Sequence, residues 1–204
     1  MTAAPRRPRV LVFAGSARGG SANRRLASCA ARALGRAGAE TTLVELRDHS
    51  LPLYDGDLEA EMGIPGEALA LKALFLGHDA LLIASPEYNS SVTPLLKNLL
   101  DWVSRSAPGE PSLACYRGKC AALVAASPGA LGGLRGLVHL RSILGNIGVL
   151  VIPEQLAVGR AQEAFDPSGD LRDEKHRASL AAVARSLVRV TAAMIAAPQE
   201  KQDA

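Results

Sequence analysis

The chain has 204 residues, 48% hydrophobic and 3% aromatic, with 23 Lys and Arg against 20 Asp and Glu for a net charge of +3. That length suits one large domain with an aliphatic core, and weak, dispersed positive charge with so few aromatics argues against a base-stacking nucleic-acid binder. The three cysteines, Cys29, Cys115 and Cys120, are odd in number and form no C-x-x-C pair, which argues against a disulfide scaffold and for a reducing compartment.

Residues 1–8 are polar and lack an apolar signal segment. They read as a disordered tail, as do 197–204, around a single domain at 9–196 of a cytoplasmic protein without a membrane anchor. The apolar run at 10–14 is rich in strand formers and stops at Gly15, so it reads as a strand buried on both faces. A helix is expected over 23–34, with Cys29 as a small core filler, and a second strand over 40–46. The acidic segment 48–65 reads as irregular. Residues 68–76 are helical, and 80–84 form a third buried strand. Val92, Leu95, Leu96, Leu99, Leu100 and Val103 then define one apolar helix face, with Pro94 in its first turn. Trp102 ends that helix, and because aliphatics already fill the stripe it is expected to meet a partner subunit. Strands at 120–126 and 149–152 flank a helix at 133–144, and a closing helix covers 180–194.

Strands alternating with helices imply right-handed crossovers and a parallel sheet covered on both faces. Five of them suit an α/β flavodoxin-like sandwich of order 2-1-3-4-5, whose ligands bind where the first and third strands diverge. The loops after Ala14, Ala84 and Ala126 are therefore the ones to inspect.

The first, residues 15–23, is rich in glycine. Ser16, Ser21 and Asn23 offer donors, Arg18 adds charge, and a helix N-terminus follows, a combination that suits a phosphate. Gly15 and Gly20 have Walker A spacing, but Ser21 occupies the lysine position, and Ala17 replaces a glycine of the dinucleotide fingerprint. Glu45 could still contact a ribose, which leaves a dinucleotide site open. A tight turn without a ligand is the plainer alternative, but it would leave four polar donors idle. The second loop places Tyr88 among polar neighbours. The third is small and glycine-rich, so a planar ring could lie against its backbone. The four histidines show no ligand spacing, so no metal is expected, and the acidic run Asp55, Asp57, Glu59 and Glu61 reads as solvated.

The segments GSARGGSAN (15–23), SPEYNSSVTPLLKNLLDW (85–102) and SPGALGG (127–133) resemble the NADPH-dependent FMN reductase family, which includes quinone, chromate and azo-dye reductases. LPLYDGDLEAE (51–61) and HLRSILGNIG (139–148) extend the resemblance over most of the chain. It implies that Ser16, Arg18, Ser21 and Asn23 hold the FMN phosphate. Pro86, Glu87, Tyr88 and Asn89 would flank the ribityl chain and ring. Ser127, Gly129, Gly132 and Gly133 would border the ring's other edge. It also implies a homodimer or homotetramer. Arg135 and Glu154 match subunit-joining residues of the chromate and quinone reductases, while Val138 stands where a Tyr would be.

The implied activity is ping-pong hydride transfer from NADPH or NADH through FMN to a small-molecule acceptor: a quinone, flavin, azo compound or metal oxyanion. The flavin carries the chemistry, so no catalytic side chain is assigned. A flavodoxin-like electron carrier without direct NAD(P)H turnover is the first rival, though such carriers are generally acidic. A flavin-free dinucleotide-binding dehydrogenase is the second, and Ala17 is the main objection to it.

Overall fold

Alternate residues of each central strand face opposite layers, so a strand buried on both sides must be apolar throughout. The computed structural model, which describes residues 6–197, shows this in β1 (Arg9–Ala14), β3 (Ala80–Ala84) and β4 (Cys120–Ala126). Val10, Val12 and Ala14 point to one layer, and Leu11 and Phe13 to the other. With β2 (Glu40–Val44) and β5 (Leu150–Val158) they form a parallel five-stranded sheet of order β2-β1-β3-β4-β5, as expected.

Two helices cover one face, α1 (Ala22–Arg36) and α6 (Glu174–Ala196). The other carries α3 (Gly66–Gly77), α4 (Pro94–Ser104) and α5 (Leu134–Asn146). Cys29 is a buried filler on the inner face of α1. By length and hydropathy α6 could cross a membrane, but Leu180, Val183, Ala184 and Leu187 form a stripe packed into the core.

Several boundaries differ from expectation. The segment 48–65 is not wholly irregular, because α2 (Gly56–Met62) lies within it, begun by Asp55, whose carboxylate accepts the Asp57 N–H at 2.8 Å. None of its residues is buried, so no apolar period marks it. The acidic run is also partly engaged, since Glu59 accepts from the Tyr54 hydroxyl and pairs with Arg105. The second strand ends at Val44, and the chain turns through a 3-10 segment, Leu46–Asp48. β5 runs to Val158 instead of stopping at 152, with a register shift opposite 121–123 that accommodates Pro153 on this edge strand.

The tails differ as well. Residues 6–8 of the expected N-terminal tail join the domain: Arg6 pairs with Asp79 at 2.6 Å and the Pro8 carbonyl accepts the Glu40 N–H. Ala197 bonds back to Ala193 at the end of α6. Residues 1–5 and 198–204 lie outside the described residues.

Trp102 is the clearest correction. It does not await a partner subunit; it is fully buried within its own chain. Its indole N–H donates to the Pro52 carbonyl at 2.8 Å, and its ring meets Tyr54 edge-on at 5.0 Å. The 51–55 loop, which sequence periodicity ignores, forms the missing side of its pocket. Trp102→Ala should therefore cost about 3–5 kcal/mol of stability in flavin-free protein, read as a lower urea midpoint; an unchanged midpoint would place the indole outside the core.

Candidate functional site

The carboxyl ends of β1, β3 and β4 lie side by side, since Ala14 pairs with Ala84 and Ala84 with Val124. The three expected loops therefore leave from adjacent points. Backbone bonds lash their first residues together: Gly15 N–H donates to Ala84, Ser85 N–H to Val124 and Ser127 N–H to Val158.

The first loop is held from several sides. Thr93, which caps α4, donates its hydroxyl to the Gly15 carbonyl at 2.7 Å. A Cβ at Gly15 would lie 3.0 Å from the Cβ of Leu96, so glycine permits this approach. Ser21 caps α1 by accepting the Arg24 N–H, and Ser16 accepts the Arg18 N–H. Arg24 reaches the carbonyls of Arg18 and Gly19 and pairs with Glu45. The carboxylate that would have served a ribose is thereby engaged.

Asn23 has a structural role too. Its amide donates to the Ala126 carbonyl at 2.8 Å and accepts the Ala126 N–H at 2.9 Å. It clamps α1 to the end of β4 with one of its two amide N–H groups, while the residue also lines the cleft.

The second loop presents Tyr88 on a tight turn. Tyr88 and Ser91 exchange two backbone bonds, with Asn89 at φ 50° and Ser90 at φ 65°, the left-handed conformation of short hairpin turns. The Tyr88 ring is 53% exposed. Glu87 turns away from solvent: its carboxylate accepts the Gly136 N–H at 3.0 Å and pairs with Arg135 at 2.8 Å. Burial pushes this carboxyl up, but the Gly136 N–H and the Arg135 guanidinium outweigh it and hold it below the usual range.

Two glycines of the third loop serve packing. Gly132 (φ 63°) lies where a Cβ would sit 2.7 Å from the Val158 backbone, and one at Gly133 (φ 93°) would sit 2.8 Å from the Ala125 side chain. They let the loop fold onto β4 and β5.

These loops enclose a cleft of about 370 Å³, within the range of small-ligand sites. Of the expected residues, Ser16, Arg18, Ser21, Asn23, Pro86, Glu87, Tyr88 and Ser127 line it. Asn89, Gly129, Gly132 and Gly133 do not. Arg25, Ala161 and Gln162 line it and were missed. The last two follow β5 directly, and only the true end of that strand would have revealed them. Three histidines have hydrogen-bond partners: His49 with Glu67, His78 with Leu74 and Thr42, and His139 with Ser91.

The profile of a family described as NADPH-dependent FMN reductase matches residues 8–163. The chain belongs to the NADPH-dependent FMN reductase family. It is 37% identical over 171 residues to an NAD(P)H-dependent FMN reductase of Pseudomonas aeruginosa, covering 83% of this chain and 87% of that one. It is 34% identical over 168 residues to a quinone reductase of Escherichia coli, covering 81% and 85%. Among solved structures, the flavoenzyme NAD(P)H:acceptor oxidoreductase of Paracoccus denitrificans superposes with a TM-score of 0.77 at 29% identity, covering 90% of this chain and 97% of that one. An archaeal flavodoxin shares the fold, with a TM-score of 0.57 at 8% identity over 90% and 98% of the two chains.

The cleft fits the flavin nucleotide of this family. One end carries the first turn of α1, whose leading N–H groups lack intrahelical partners, with Ser16, Ser21, Arg18 and Arg25 around it. Among the described residues the only carboxylate lining the cleft, Glu87, is already paired. A dianionic phosphate would meet donors and cations there, and the exposed Tyr88 lines the same cleft.

Two results would test these assignments. Asn23→Ala should destabilise flavin-free protein, because the buried Ala126 N–H and carbonyl each lose a partner at about 1–3 kcal/mol. A residue serving only as a phosphate ligand would leave that stability unchanged. Glu87, with its folded-state pKa depressed, adds stability present above the unfolded carboxyl value of about 4.3 and lost as pH falls through the lower folded value. The urea midpoint of wild type should therefore fall more steeply below that pH than that of Glu87→Gln; parallel acid limbs would sink the assignment.

Proposed function

We propose that this protein is an NAD(P)H-dependent, FMN-binding oxidoreductase that passes electrons by a ping-pong cycle to quinones, flavin, azo compounds or metal oxyanions. The cationic end of the cleft, where α1 begins and, among the described residues, no free carboxylate intrudes, carries the reading. Ser16, Ser21, Arg18 and the first N–H groups of α1 would hold the FMN phosphate. When bound, FMN supplies a centre that accepts hydride from a nicotinamide and returns electrons to an acceptor.

The remaining work is positioning. Asn23 and Arg24 set the shape of the phosphate loop before any ligand arrives. Glu87 anchors the second loop to α5 and so fixes where Tyr88 stands. Tyr88 offers an exposed ring beside the cleft, suited to covering a planar ligand. The P. aeruginosa and E. coli relatives, an FMN reductase and a quinone reductase by name, support both the donor and the quinone among the acceptors.

A cytoplasmic homodimer or homotetramer completes the proposal. Within the described residues Oε2 of Glu154 is buried without a hydrogen-bond partner. Leu131 and Val138 are 53% and 59% exposed. A second copy would cover these apolar groups and offer Glu154 a donor.

The test is an anaerobic visible spectrum of FMN-loaded protein before and after one equivalent of NADPH, repeated with NADH. Rapid bleaching of the flavin band is expected, and the faster donor identifies the cosubstrate. A spectrum unchanged by either donor would make the protein an electron carrier, and failure to bind FMN would remove the reading altogether.

A further inference from the structure

We propose that Arg25 is a second phosphate-binding cation of the cleft, held in place by the Phe165 ring, and that it makes the site select a phosphorylated flavin over the bare one. The inference rests on the FMN reading above but goes beyond it. The loop motif points to Arg18 and is silent about Arg25, which lies on the helix beyond the loop.

Four observations converge. Arg25 lines the same cleft as Ser16, Arg18 and Ser21. Its guanidinium carbon stands 4.9 Å from the centroid of Phe165, a ring only 4% exposed. A guanidinium stacked by its face keeps the N–H groups at its edge free to donate. Third, Arg24 beside it is paired with Glu45, whereas among the described residues no carboxylate lies within ion-pair distance of Arg25.

The fourth observation is electrostatic. Anions stabilise the start of a helix and cations destabilise it. The first turn of α1 carries no acid. Arg25 stands just inside that start, where its unpaired charge opposes the helix dipole. A dianionic phosphate at the mouth of α1 would reverse the sign of the interaction, satisfying the helix, Arg18 and Arg25 together. Among the described residues Arg18 has no such ring contact, so of the two cations Arg25 is the one with an aromatic support.

The test compares two ligands that differ only in the phosphate. Flavin-free full-length protein, its fold verified by circular dichroism, is titrated with FMN and with riboflavin, following flavin fluorescence. Arg25→Ala should weaken FMN by roughly ten- to a hundredfold, as expected for losing a hydrogen bond to a charged group, and leave riboflavin within about twofold. Its FMN affinity should also depend less steeply on salt than that of wild type. Arg25→Lys, which keeps the charge without the planar fork, should recover part of the loss. Equal weakening of both flavins would assign Arg25 a packing role and overturn the proposal, as would unchanged FMN affinity. Wild-type protein that binds neither flavin would overturn the functional reading and this inference together, whereas wild type that binds FMN as tightly as Arg25→Ala overturns this inference alone.

Discussion

Asn23 reaches from the first turn of α1 across the carboxyl edge of the sheet to both backbone groups of Ala126. This contact joins two elements that the sheet keeps apart, because β3 lies between β1 and β4. Both groups of Ala126 are at the end of a strand, where the ladder no longer provides partners, and both are satisfied by one side chain. The amide is suited to this because it carries a donor and an acceptor on the same plane. With α1 fixed to β4, its N-terminus can open only toward the space between the first and third loops. The location of the cleft follows from that constraint more than from any residue that lines it.

A similar economy governs charge. The mouth of α1 is crowded with arginines, yet Arg24 is neutralised by Glu45 and used to hold loop carbonyls. Across the cleft Glu87 is neutralised by Arg135 and the Gly136 N–H. Both of these carboxylates are thus retained by a partner that does not line the cleft. Among the described residues, what remains without an ion-pair partner beside the cleft is positive and close to partly unsatisfied N–H groups, so an anion there would meet complementary charge. An anion entering there would displace no internal ion pair. The fixed carboxylates shape the loops, while the unpaired cations are left for the ligand.

Most of the fold is legible in the sequence because buried parallel strands are continuous apolar runs and amphipathic helices repeat with their own period. The exceptions have physical causes. α2 buries nothing and so has no pattern, only an aspartate cap. Trp102 looks surplus to its helix stripe because the wall that covers it, Pro52 and Tyr54, comes from a loop without periodicity. The site is legible as a place, since its loops follow strands, but its roles are less so. An asparagine or glutamate in such a loop reads equally well as a ligand contact or as a clamp, and only their partners in the structure reveal the clamping role of Asn23 and Glu87. Glycines at 132 and 133 read as room for a planar ring, whereas the structure shows the first close against the Val158 backbone and the second against the Ala125 side chain.

The edge strand β5 explains why part of the cleft escaped sequence reading. A proline and two polar residues, Pro153, Glu154 and Gln155, interrupt its apolar run, so the strand looks finished at 152. The register shift absorbs that interruption, and pairing resumes from Gln155 to Val158 opposite β4. A strand stopping earlier would leave Ser127 without the Val158 carbonyl and would release the following turn from the site. Because it continues, Ala161 donates its N–H to the Ser127 carbonyl and carries Gln162 into the cleft, and Phe165 comes beneath Arg25. The irregular residues thus occur where an edge strand can tolerate them, and the regular pairing beyond them places the fourth wall of the cleft.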